Sequence, residues 1–152
     1  MDCNPASAGG HHHIKVSIDY FTKWDEAMPT VKFDGEIAAH FVFNQIITRF
    51  GIPKELVTDH GSHFQNRMIE ELASKLGYKQ EHFSSYYPQV NGQVEAVNKS
   101  LKSILQQTIA QRKNNWHIML YPALWEYRTI FKTATGFFSI STRTWSGVDI
   151  FC

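Results

Sequence analysis

Two carboxylates, Asp59 and Glu95, have the residue type and spacing best suited to chemistry in this chain. Asp59 follows Leu56 to Thr58, a short apolar run of strand character, and Glu95 stands at the start of a run with helical periodicity. Between them lie 35 residues. Carboxylate oxygens are hard donors that suit divalent cations such as Mg²⁺. When carboxylates from separate elements converge, they can hold a pair of cations about 4 Å apart, one activating an attacking hydroxyl and one stabilising a leaving oxygen, as phosphoryl transfer on DNA requires. Other candidate chemistry is weaker. His11, His12 and His13 have no partner ligands nearby in the sequence, and a solvated loop is the better reading. Cys3 and Cys152 sit near the two ends with no His/Cys spacing for a closed zinc site and no disulfide framework.

The elements that must position Asp59 and Glu95 can be read from periodicity. Ile14, Val16 and Ile18 alternate with polar residues, the pattern of a half-buried strand, and residues 27–31 are a candidate neighbour. Over residues 36–50, Ala39, Phe43, Ile46, Ile47 and Phe50 form a helical stripe, stopped by Gly51 and Pro53. Residues 56–58 make the short strand before Asp59. A helix with the stripe Ile69, Leu72, Ala73 and Leu76 ends at Gly77, and residues 79–83 form another strand. Residues 84–92, with Tyr86, Tyr87, Pro88, Asn91 and Gly92, read as an exposed, mobile loop. A long helix then carries Val94, Val97, Leu101, Ile104 and Leu105 on one face, with Glu95, Lys99 and Lys102 on an adjacent one. Residues 116–127 form an aromatic-rich helix with Pro122 as a candidate kink. Alternating strands and helices indicate an α/β layer fold.

Composition sets the bounds. The chain has 152 residues, 43% of them hydrophobic and 14% aromatic, enough for one buried core and too apolar for a disordered or fibrous class. No apolar run approaches the roughly 20 residues that span a bilayer, so no membrane role is expected, and cysteine usage suits an intracellular place, nuclear or cytoplasmic. The net charge of +1 conceals an asymmetry: residues 1–95 hold 8 Lys/Arg against 12 Asp/Glu, and residues 96–152 hold 7 against 2. An acidic centre beside a basic surface suits a polyanionic partner, although chance asymmetry is an equal alternative.

The segments Thr58-Asp59-His60-Gly61-Ser62-His63-Phe64 and Tyr87-Pro88-Gln89-Val90-Asn91-Gly92-Gln93-Val94-Glu95 resemble the last two acidic motifs of retroviral and gypsy-type LTR retrotransposon integrases, including the 35-residue gap. Ile18-Asp19-Tyr20-Phe21-Thr22-Lys23-Trp24, Arg49-Phe50-Gly51-Ile52-Pro53 and Ala123-Leu124-Trp125-Glu126-Tyr127-Arg128-Thr129 match the same family in order and spacing. The resemblance implies the integrase catalytic core, with an RNase H-like three-layer α/β/α fold and a mixed central sheet. It also implies an Asp, Asp, Glu metal triad using Mg²⁺ or Mn²⁺, processing of 3′ ends, and insertion of retroelement DNA into target DNA. Asp19 falls on the family's second strand and is not the first ligand. By order that place goes to Asp2, although the interval from Asp2 to Asp19 is shorter than the family's and the first strand is largely missing.

The expected ligands are therefore Asp59, Glu95 and Asp2. Lys99 and Lys102 are implied DNA contacts, with solvated lysines as the alternative. Asn91 and Gln93 are candidates to hydrogen-bond a phosphate or sugar, and Tyr87 to stack on the strand, with loop packing equally open for all three. Trp116, Trp125 and Tyr127 suit core or subunit contacts better than a stacking platform. Residues 1–13 are expected to be irregular, 14–136 to form the core-like domain, and 137–152 to be a divergent tail, because the family pattern stops after Gly136. Three functional readings stay open: a two-metal DNA strand transferase, a non-catalytic remnant that binds nucleic acid or forms a homodimer, and an RNase H-like nuclease with another acidic set.

Overall fold

In the computed structural model the described residues are 2–19, 21–32, 34–58, 61, 64–82, 88–108, 115–129, 131–132, 137–138 and 148–151; of these, 88–91, 93–94, 108, 131–132, 137–138 and 148–151 are described by their backbone alone. The chain runs β1 (His13–Asp19), β2 (Asp25–Thr30), α1 (Gly35–Phe41), a π-helical segment (Val42–Ile47), α2 (Thr48–Phe50), β3 (Glu55–Thr58), α3 (Arg67–Leu76), β4 (Lys79–His82), α4 (Pro88–Thr108) and α5 (Trp116–Thr129). Three short strands follow: β5 (Phe131–Lys132), β6 (Phe137–Phe138) and β7 (Val148–Phe151).

The main sheet has the order β2-β1-β7-β3-β4. It is mixed, as expected: β1 pairs antiparallel with β2 and β7, and β3 pairs parallel with β4 and β7. The β1–β2 hairpin and the β3–β4 pair are thus joined through β7, which lies in the stretch whose sequence departs from the family pattern. Ahead of β1, the described residues contribute one antiparallel bridge, Asp2 to His13, in keeping with a shortened first strand.

Helices cover both faces of the sheet. Ile14, Val16 and Ile18 pack with Val97, Leu101, Ile104 and Leu105 of α4 and Trp116, Leu120, Ala123 and Leu124 of α5. Leu56 packs on the other side with Ala38, Phe41, Val42, Ile46, Phe64, Ile69, Ala73 and Tyr78. The expectation of a half-buried β1 is corrected for this reason: Lys15, Ser17 and Asp19, on its other face, are buried as well. Lys15 places its ammonium 5.0 Å from the centroid of the Phe64 ring, which favours a cation by its quadrupole.

Local chemistry sets the helix ends. Asp34 caps α1, its carboxylate accepting from the Ile37 N–H at 2.8 Å, and Gly51 follows α2 at φ 94°, a left-handed conformation open to glycine. Asn66 caps α3, and Gly77 ends it at φ 76°. The helical run from Gly35 to Phe50 buries Ala38, Phe41, Val42 and Ile46, whereas Phe43, assigned to the stripe from sequence, is exposed. Ala38, Phe41 and Val42 set the buried face, Phe43 falls one position outside it, and the wider π turn that follows keeps Ile46 on that face. Residues 88–92, read as loop, are helical: α4 begins at Pro88, and proline fits a first helical position because its missing N–H has no intrahelical partner there.

At the edge of the sheet, three family-matching blocks meet on one side chain. Glu26 of β2 is 4% exposed and forms ion pairs with Arg49 at 2.7 Å and Arg128 at 3.0 Å, while Trp24 Nε1 donates to it at 2.8 Å. The Arg128 guanidinium also donates to the Asp25 carbonyl and lies 4.3 Å from the Trp24 ring centroid. Removing the charge that compensates a buried guanidinium costs about 3–5 kcal/mol, so Glu26→Gln is expected to lower unfolding free energy by that order. Arg49→Ala, at a partly exposed partner, should cost only about 1 kcal/mol or less. Urea denaturation of the two variants gives the comparison; equal losses would contradict the assignment of the buried pair as dominant.

Candidate functional site

β3 leads directly to position 59. Leu56 and Thr58 are buried on one face, and Val57 packs against the core beneath α4 and α5 on the other. Thr58 Oγ1 lies 3.0 Å from His82 Nδ1, tying the end of β3 to the end of β4. Past the turn, the Phe64 N–H donates to the Gly61 carbonyl at 2.9 Å, and Gln80 Nε2 donates to the Phe64 carbonyl at 3.0 Å. The chain is thereby fixed on both sides of Asp59; Asp59 itself lies outside the described residues, as does Tyr87.

Glu95 lies on α4, seven residues after Pro88 and so about two turns into the helix, deeper than the helix start assigned from sequence. The earlier onset at Pro88 accounts for the difference. Its side chain is exposed, as are those of Lys99 and Lys102, while Val97, Leu101, Ile104 and Leu105 anchor the opposite side of α4 to the sheet. Glu95 makes no ion pair with any described side chain, so its carboxylate is open to a ligand. Asn91 and Gln93 lie on the early turns of α4, with their side chains outside the described set. Asn98, one turn beyond Glu95, was missed from sequence: its Oδ1 is buried without a hydrogen-bond partner among the described residues. Its i+3 spacing from Glu95 was the available signal.

Asp2 is placed differently. Its side chain is 84% exposed and its carboxylate binds His13 Nδ1 at 2.7 Å. The next residue, Cys3, packs against the core beneath α4 and bonds through its N–H to the His12 carbonyl. Asp2 thus sits in an isolated antiparallel bridge with His13, beside a neighbour packed against the core beneath α4 and α5.

Asp19 is fully buried at the end of β1. The Phe21 N–H donates to Oδ1 at 2.9 Å, and Oδ2 has no hydrogen-bond partner among the described residues. Burial raises its pKa above the ordinary 3.8, against the opposing pull of hydrogen bonds from Phe21 and Thr22 and of the Lys23 charge. Of the aromatic residues, Trp116 is buried and donates from Nε1 to the Pro5 carbonyl at 3.1 Å, Tyr127 is half-buried, and Trp125 is 59% exposed. Burial, with the nearby Asp25 carboxylate, pushes the Tyr127 phenol up to about 12. His11, read as solvated, is half-buried: it lies 3.0 Å from Ser7 Oγ and stacks on His117 with centroids 4.9 Å apart.

Asp59 and Glu95 would offer carboxylate oxygens, the chemistry that fits Mg²⁺ or Mn²⁺ rather than a thiophilic metal. Among the described residues no three His, Cys, Asp or Glu side chains gather into a metal-binding group, and Asp59 is not among them. No described helix is long and apolar enough to cross a membrane.

No family model matches the chain. Relatives include retroviral polyproteins: the chain is 33% identical over 120 residues to the Pol polyprotein of radiation murine leukemia virus (strain Kaplan), covering 78% of this chain and 21% of that one. It is 34% identical over 116 residues to the Gag-Pol polyprotein of baboon endogenous virus (strain M7), covering 76% and 7%. The chain thus spans less than a quarter of these relatives' length. Among solved structures, it resembles the HTLV-2 integrase catalytic core domain in complex with magnesium (trimeric form), with a TM-score of 0.71, 20% identity, and coverage of 84% and 82%. It also resembles a chain of the simian T-cell lymphotropic virus intasome in complex with PP2A regulatory subunit B56 gamma, with a TM-score of 0.75, 21% identity, and coverage of 84% and 46%.

The raised pKa of Asp19 predicts a pH dependence. The folded state holds this proton more tightly than the unfolded chain, so its contribution is full below about pH 4 and is lost as pH rises through the folded value. Asp19→Asn cannot ionise and is expected to flatten the decline in unfolding free energy as pH rises above about 4. Urea denaturation across that range measures it; a variant profile as steep as the wild type would contradict the assignment.

Proposed function

Since the chain is a retroviral-type integrase catalytic core by its relatives and its fold, we propose that it acts on retroelement DNA ends as a polynucleotidyl transferase and endonuclease in DNA integration. The observation that carries this reading is the exposed carboxylate of Glu95, in no ion pair among the described residues, on α4, a helix packed on the same sheet face as Val57 of β3, two residues before Asp59. Asp59 and Glu95 are the side chains that would hold Mg²⁺ or Mn²⁺, which when bound supplies activation of the attacking hydroxyl and neutralisation of phosphate charge.

The chain's own residues do the rest. Lys99 and Lys102 follow Glu95 by one and two turns on the exposed side of α4, where they bind backbone phosphates of the DNA end. Asn91 and Gln93 hydrogen-bond a phosphate or sugar, and Tyr87 stacks on or positions the strand. The partners are therefore the retroelement ends and target DNA. A second copy of the chain is a further partner, supported by the exposed apolar residues Ile118, Tyr121 and Trp125 at helical spacing on α5.

The test is incubation with labelled element-end DNA and Mn²⁺. Asp59→Asn and Glu95→Gln are each expected to abolish cleaved and strand-transferred product, and equal product from wild type and both variants would reject the assignment. In parallel, Lys99→Ala combined with Lys102→Ala should weaken DNA binding and lower the slope of log K against log salt by roughly 2, as loss of two phosphate contacts requires. An unchanged slope would remove these lysines from the interface.

A further inference from the structure

The segment ahead of β1 meets the first turn of α5 through a pair of imidazoles. His11 stacks on His117, with centroids 4.9 Å apart and planes at 23°, and both rings stand edge-on to Trp116, at 6.3 and 6.4 Å. Residues 7–11 form the tight turn that brings His11 there. The Ser7 N–H donates to the His11 carbonyl and the Gly10 N–H to the Ser7 carbonyl. The His11 N–H donates to Ser7 Oγ, which also lies 3.0 Å from His11 Nδ1. Gly9 seats this turn against the rings: a Cβ there would stand 2.8 Å from His11 Cε1 and 3.3 Å from His117 Nε2. The Trp116 indole completes the contact by donating to the Pro5 carbonyl at 3.1 Å.

Such a contact depends on the protonation of its rings. Neutral imidazoles stack without repulsion, whereas two imidazoliums at this separation are like charges in contact. An imidazolium carries an N–H at both ring nitrogens. His117 Nδ1 is buried with no hydrogen-bond partner among the described residues, so a proton there would meet no acceptor. Burial, and after it the facing His117, hold His11 below its ordinary pKa of 6.5. The surroundings do not offset this. Across a cavity of about 310 Å³, His11 faces Glu36 and His40 of α1, and Glu36 makes no ion pair with any described side chain. On the β1 side, the Asp2 carboxylate is engaged with His13 at 2.7 Å.

We propose that the His11–His117 stack is an acid-sensitive clasp, which keeps residues 2–12 on α5 while the rings are neutral and lets them lift away when both are protonated. A basic group held below its ordinary pKa binds fewer protons in the clasped state than in the released one. The clasp is therefore at full strength above about pH 6.5 and weakens as pH falls through that value. This dependence is opposite in sign to that carried by Asp19, so local release and global unfolding respond to pH in different directions. Release frees the Trp116 indole from Pro5 and uncovers the start of α5.

Hydrogen exchange of the Trp116 indole N–H, read by NMR with the intrinsic pH dependence divided out, tests the clasp. From about pH 7.5 to about pH 5.5 its protection is expected to fall by roughly tenfold, the equivalent of one unit of pKa difference, while amides of the β1–β2 ladder keep theirs. His11→Gln and His117→Gln leave at most one charge in the stack, and each should remove the fall. His117→Gln should also raise the pH at which the His11 ring titrates. Gly9→Ala changes no titratable group and should lower the protection already at the higher pH. Indole protection that is the same at both pH values in the wild type, or that falls as steeply in both glutamine variants, overturns the proposal. Should the glutamine variants be released at both pH values, the wild-type protein still decides. Its loss of protection must coincide with protonation of His11, followed through the Cε1–H resonance, and a loss at a pH where that ring does not titrate would refute the clasp.

Discussion

The position of the metal-ligand candidates depends on backbone pairing along β7. The β1–β2 hairpin and the β3–β4 pair lie on either side of it, and its hydrogen bonds fix where β3 ends relative to β1. A ladder interior to a sheet leaves few alternatives, because a slip of one residue would turn every side chain to the wrong face. The register of β7 against both neighbours thus fixes which core Val57 joins, and with it the face on which α4 presents Glu95. Local stability and the site are consequences of the same pairing.

A second constraint acts at the sheet edge. Glu26, Arg128, Arg49 and Trp24 come from β2, α5, α2 and the turn after β1, and they converge within hydrogen-bond or ring-contact distance. Three sequence blocks that resemble the integrase family contribute to this cluster, so their separation in the chain reflects a shared structural task rather than direct participation in chemistry. A buried carboxylate flanked by two guanidiniums holds α5 against the hairpin. The same helix provides Leu120, Ala123 and Leu124 to the core on which α4 rests.

Much of this was legible in the sequence where apolar periodicity and caps agree. The β1 alternation, the α3 stripe with Gly77 at its end, and the buried face of α4 follow the expected pattern because packing and local preference point the same way. The loop read at residues 84–92 extended too far, because proline and glycine signal a break equally well whether they precede a helix or interrupt one; Pro88 does the former. The stripe on residues 36–50 was offset because the buried face runs through Phe41 and Val42, which apolarity alone does not separate from the adjacent Phe43. Burial of Lys15 and Asp19 could not be read from alternation, which registers polar residues as solvent-facing and carries no information about a second layer of helices. The pairing of β7 is non-local, between residues more than 90 positions apart, and no local pattern encodes it. The candidacy of Asp59 and Glu95 rests on motif spacing, and the pairing of Asp2 with His13 has no local sequence pattern behind it.

The central claim is that Asp59 and Glu95 reach a common cation on the α4 face of the sheet. The most direct measurement is anomalous diffraction from crystals of the protein soaked in Mn²⁺. The account predicts an anomalous peak within carboxylate coordination distance of both side chains, about 2.1–2.6 Å from their oxygens. A peak bound by neither, or carboxylates directed to opposite faces of the sheet, would contradict it.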